Sequence, residues 1–110
     1  MKRSTILAGL VVTLVLTAPV VASPAYFLVS GYTSHNIVKY DAVTGAYLDT
    51  LVTGGSGGLN CPEGLAVGPD GNLYVASAGT HSVKRFDLQT GAYLGTFASG
   101  HGMQYPRGIA

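Results

Sequence analysis

Fifteen residues of this chain recur almost unchanged further along it. Ser34-His35-Asn36-Ile37-Val38-Lys39-Tyr40-Asp41-Ala42-Val43-Thr44-Gly45-Ala46-Tyr47-Leu48 returns as Thr80-His81-Ser82-Val83-Lys84-Arg85-Phe86-Asp87-Leu88-Gln89-Thr90-Gly91-Ala92-Tyr93-Leu94, an offset of 46 positions. Cys61-Pro62-Glu63-Gly64-Leu65-Ala66 likewise matches Tyr105-Pro106-Arg107-Gly108-Ile109-Ala110, but at an offset of 44, so the segment between has lost two residues. Such a chain must fold as stacked copies of one small unit, because a single repeat cannot bury its own apolar face.

Each unit divides into short strands separated by turn chemistry. Glu63–Val67 reads as a first strand, stopped by Gly68-Pro69-Asp70-Gly71-Asn72, where proline presets one dihedral and glycine accepts a positive φ. Leu73–Ser77 reads as a second strand, apolar on both faces, which predicts that both faces are covered. A turn at Gly79-Thr80-His81 leads to a third strand, Val83–Asp87, and Leu88–Gly91 turns into a fourth, Ala92–Ala98. Lys39, Asp49, Lys84 and Arg85 put charge on third and fourth strands, which discourages edge-to-edge pairing. Gly54–Asn60 and Gly100–Gln104 are then crossings between units. Glycines and β-branched residues oppose helix throughout this region. The reading is all-β: four-stranded antiparallel β-propeller blades, about two of them.

The earlier unit starts at its second strand, Tyr26–Ser30, and Arg107–Ala110 opens another first strand. The units are a partial blade at 25–53, a full blade at 62–99 and the start of a next blade at 105–110. Three strands, then four, then a stub cannot close a ring alone. The expectation is that this is a fragment continued by further blades or, alternatively, that copies self-assemble.

Residues 1–22 are set apart from the blades. Lys2 and Arg3 precede the apolar run Ile6–Val21, and Val20-Val21-Ala22 offers small residues for cleavage. This predicts a signal peptide cut after Ala22, a mature chain 23–110, and a secreted, periplasmic or cell-surface destination. The mature charges are Lys39, Lys84, Arg85 and Arg107 against Asp41, Asp49, Glu63, Asp70 and Asp87. That balance carries no electrostatic footprint for nucleic acid or for an anionic membrane. Cys61 is the one cysteine, so no internal disulfide framework and no Cys-based zinc site is expected.

Gly68-Pro69-Asp70-Gly71-Asn72-Leu73-Tyr74-Val75, the strand Val83–Asp87, Thr90-Gly91-Ala92-Tyr93-Leu94 and the Pro-x-Gly-Leu/Ile-Ala pairs together resemble NHL-repeat β-propellers. The bacterial secreted type that they resemble is commonly six-bladed. The resemblance implies a rigid scaffold whose blade loops bind a protein, a glycan or a small molecule. It implies no single activity, since related propellers include lactonases, lyases and pure binding modules.

Site candidates follow from repeat position. Glu63 and Arg107 share the entrance of a first strand, which in a propeller lines the central channel. Glu63 is the candidate metal residue, in the manner of calcium-dependent propeller lactonases. Calcium needs several oxygen ligands, however, so one carboxylate reads first as a solvated loop charge. His35 and His81 share a turn and read as local hydrogen-bonding residues. Asp70 and Asn72 belong to their turn, and Asp41 and Asp87 hold the turns that follow them. Gly54–Gly58 lacks the Lys-Ser/Thr of a phosphate loop. Tyr32, His101, Tyr105 and Arg107 are the candidate contacts for a ligand or partner. No catalytic or cofactor-binding residue is assigned. The expected function is an exported binding or interaction scaffold. The alternatives are part of a metal-dependent lactonase or lyase, or a two-blade chain assembling as an oligomeric propeller.

Overall fold

The computed structural model of the protein describes residues 25–110, and the expected signal peptide lies outside them. Among the described residues, seven strands form two antiparallel sheets. The first sheet is β1 (Tyr26–Gly31), β2 (Asn36–Asp41) and β3 (Tyr47–Val52), in that order. The second is β4 (Pro62–Val67), β5 (Leu73–Ser77), β6 (Ser82–Phe86) and β7 (Tyr93–Ser99), also in sequence order. Single 3-10 turns at Ser56–Gly58 and Ala78–Thr80 are the helical elements among the described residues. The all-β expectation holds, with strand ends moved by one residue at several places.

Repeat-equivalent strands pair alike. Leu28 faces Lys39 in the first sheet, and Tyr74 faces Arg85 in the second. The two outer pairings, β2–β3 and β6–β7, each carry two register shifts at matching places. Such bulges increase local twist and bend the outer strands. The turns also match. Asp41 Oδ1 accepts from the backbone N–H of Val43 and Thr44, and Asp87 Oδ1 accepts from those of Gln89 and Thr90, all at 2.8 Å. Gly45 and Gly91 follow at φ 75° and 76°, a region that favours glycine.

The core lies between the sheets. Ile37, Leu51 and Val52 of the first sheet pack with Leu73, Val75 and Phe86 of the second and with Leu59 from the crossing segment; all are buried. β5 is covered on both faces, as its apolar sequence requires. Lys84 shares this interface, nearly buried, with Nζ 3.3 Å from Thr96 Oγ1 and 5.5 Å from the Tyr93 ring centroid. Residues 107–110 were expected to open a strand. They lie beside β4, where a side chain on Gly64 would strike the Arg107 carbonyl, but form no regular ladder among the described residues.

Candidate functional site at the inner strand ends

Blade-to-blade stacking brings the end of β1, the start of β4 and the segment after Tyr105 together at one rim. β1 delivers Ser30 and, just past its end, Tyr32; β4 delivers Pro62, Glu63 and Gly64; the segment after Tyr105 delivers Arg107. These residues line an open polar cavity of about 560 Å³. Its geometry is fixed by backbone contacts. Ser30 Oγ donates to the Glu63 carbonyl at 2.7 Å and ties β1 to β4. The absence of a side chain at Gly64 lets the Arg107 backbone approach.

The charges in the cavity offset one another. Arg107 Nη1 lies 3.9 Å from Glu63 Oε1, with the arginine side chain 77% exposed and the glutamate 22%. An exposed pair of this kind contributes little to stability. Arg107, the more exposed of the two, therefore remains free to reach a ligand. The Tyr32 phenol is held above its usual pKa, first by the neighbouring Cys61 side chain, then by burial and the Glu63 carboxylate. It keeps its proton at neutral pH and can donate as well as accept.

Three sequence candidates, Tyr32, Glu63 and Arg107, thus meet in one place. His101 and Tyr105 do not join them. His101 is exposed in the Gly100–Met103 turn at φ 52°. Tyr105 stacks edge-on against His81, with centroids 4.6 Å apart. Ser30 is a member that residue type alone did not reveal.

The two histidines also differ from the sequence reading. His35 Nδ1 accepts the Cys61 backbone N–H at 2.9 Å, and His81 Nδ1 accepts that of Tyr105 at 3.1 Å. Both side-chain bonds reach across to the following blade entrance and join units, while the backbone N–H groups of His35 and His81 close the local turns on the Gly31 and Ala78 carbonyls. Donor and acceptor residues alike sit at positive φ: 56° and 51° for the histidines, 49° and 47° for Cys61 and Tyr105. That backbone is unfavourable for residues other than glycine and persists where surrounding bonds enforce it.

Gly54–Gly58 also spells Gly-x-Ser-x-Gly, a motif the sequence was read as lacking. A nucleophile elbow needs a strand-to-helix turn. Here the segment is a 3-10 turn between β3 and β4, and Ser56 has no histidine side chain as hydrogen-bond partner among the described residues. No group of three His, Cys, Asp or Glu side chains is positioned to share a metal ion among the described residues.

The NHL repeat family matches residues 59–86, which run from the crossing segment through β6. Among solved structures, the β-propeller protein hydrazine synthase from Kuenenia stuttgartiensis is similar, at 27% identity and a TM-score of 0.58. The match covers 76% of this chain and 22% of that one, so the chain spans about a fifth of the length of that protein. No curated protein sequence matches significantly. The chain is built of β-propeller blades, about two of them, and the second carries the segment that matches the NHL repeat family.

Proposed function

We propose that this protein is an exported β-propeller scaffold that binds a small polar ligand, or a polar group of a glycan or protein, at the rim formed by Tyr32, Glu63 and Arg107. The observation that carries this reading is their convergence: three successive repeat units supply a phenol, a carboxylate and a guanidinium to one cavity of about 560 Å³. These are one donor-acceptor, one acceptor and one fork-shaped donor, a set suited to neighbouring hydroxyl and carboxylate groups. Export rests on the Lys2–Ala22 leader. Mass spectrometry of the product from a secreting host should find Ser23 at its start.

Amide NMR of the mature protein, titrated with neutral monosaccharides, uronic acids and free amino acids, tests the binding reading. Shifts confined to Ser30–Tyr32, Glu63–Gly64 and Arg107–Gly108 are expected, with at least tenfold weaker binding in R107A. Saturating additions that leave these amides unmoved, or binding that R107A and Y32F leave intact, would sink it. A second reading makes these blades part of a metal-dependent lactonase or lyase; the similar solved structure carries an enzyme's name, though not one of that chemistry. Its signature is lactone hydrolysis abolished by a chelator and restored by calcium.

A further inference from the structure

The two histidine bonds that cross from one unit to the next end beside the charges of the rim. His35 Nδ1 accepts the Cys61 N–H at 2.9 Å, and Glu63 stands two residues further on. His81 Nδ1 accepts the Tyr105 N–H at 3.1 Å, and Arg107 stands two residues further on. Between them lies Pro62 in one case and Pro106 in the other. Each proline fixes its own φ, so the setting of Cys61 or Tyr105 is passed along to the charged residue.

Cys61 is the joint between the blades. His35 of the first unit holds its N–H, while its carbonyl accepts the Ala78 N–H at 3.1 Å within the second. Cys61 and Tyr105 sit at φ 49° and 47°, a backbone that persists only where its surroundings enforce it. The histidine bonds do so only in one charge state. A backbone N–H can only donate, so Nδ1 must be bare and the ring hydrogen must lie on Nε2. A proton added to Nδ1 sets two donors against each other, and the bond is lost.

We propose that His35 and His81 are positioning residues that make the rim sensitive to protons. With neutral imidazoles the two clasps are closed, and Glu63 and Arg107 are held beside each other. Acid opens the clasps and lets the two charges part, across the interval from pH 8 to 5 where imidazole ordinarily changes charge. The titratable groups at the His35 clasp are the Cys61 thiol, the Tyr32 phenol and the Glu63 carboxylate. The crossing segment Gly54–Asn60, whose Gly55 N–H donates to the His35 carbonyl at 3.0 Å, carries no titratable side chain. At the His81 clasp they are the Tyr105 phenol, the Arg107 guanidinium and, in the crossing before it, His101. Neither clasp histidine joins an ion pair among the described residues. Thiols and phenols ordinarily titrate above this interval and carboxylates below it, so the imidazoles govern it. As regulation of a ligand site, the inference rests on the binding reading above; the clasps themselves are read without a ligand.

The test is NMR of the mature protein at about pH 7.5 and about pH 5. On acidification the Cys61 and Tyr105 amides should lose roughly tenfold in protection from exchange, measured against the intrinsic rate at each pH. The Glu63 and Arg107 amides should shift with them. His35→Asn with His81→Asn is the deciding variant, because asparagine puts an acceptor oxygen at the δ position, tolerates positive φ and does not titrate. It should keep both amides protected at both pH values and abolish the response. His35→Ala with His81→Ala should leave them open at both. Cys61 and Tyr105 amides unmoved by acid would overturn the proposal, as would a response that survives in the asparagine variant or a ring hydrogen found on Nδ1 at about pH 7.5. Any sugar or amino acid found to bind should do so roughly tenfold more weakly at the lower pH, and equal affinity would overturn the regulatory role. Clasps that respond as described in a protein that binds none of these compounds would overturn the binding reading and the regulatory role, with the proton-sensitive clasp upheld.

Discussion

Gly45 and Gly91 are the same residue of the repeat at nearly the same φ, yet they do unequal work. A side chain on Gly45 would meet open space, whereas one on Gly91 would strike the Leu51 carbonyl of the preceding blade. Alanine at either position carries the left-handed penalty of about 1–2 kcal/mol. Gly91→Ala must in addition push the blades apart, so it should lower the melting temperature clearly more than Gly45→Ala. Asp41 and Asp87 make a second matched pair. Backbone N–H groups of Thr44 and Val43, and of Thr90 and Gln89, hold their carboxyls below the usual range. The Tyr74 hydroxyl, with the Asn72 backbone, does the same for Asp70. A depressed carboxylate stabilises the fold fully above its unfolded pKa, near 3.9, and the contribution fades as pH falls through the lower folded value. Chemical denaturation should therefore show stability declining below about pH 4. A protein carrying Asp41→Asn and Asp87→Asn should show a flatter decline, because the amide keeps an acceptor but does not titrate.

At the scale of the element, the blade contour was readable before any coordinates. Glycine turns and matched apolar runs located all seven strands, because each strand end is set by local chemistry that recurs. The reach of His35 and His81 was not readable. A turn histidine bonding its own loop and one bonding a residue more than twenty positions away have the same local sequence. His35→Ala leaves the Cys61 N–H without its partner and should cost about 1 kcal/mol, the usual scale for a partly buried bond. His35→Phe fills the space without the acceptor and should not recover it, which separates the bond from packing in urea melts. The meeting of Tyr32 with Glu63 and Arg107 was equally hidden. Repeat alignment pairs Glu63 with Arg107 but pairs Tyr32 with Ala78, so only the curvature of stacked sheets shows that they share a rim.

Over the whole molecule, neither sheet holds a core of its own. Phe86 is buried against residues of the other sheet, and Phe86→Ala should cost about 3–5 kcal/mol, a large share of what a domain of this size possesses. Equilibrium unfolding followed by tyrosine fluorescence and by far-ultraviolet circular dichroism should then give coincident curves. The placement of that core between the repeats also bears on how such a chain can lengthen. An added unit brings one face that its predecessor needs and one that its successor must cover, so growth by duplication never removes the unmet surface but moves it one place along. Relief comes only when the last face meets the first, and until then every intermediate length is under pressure to find another molecule.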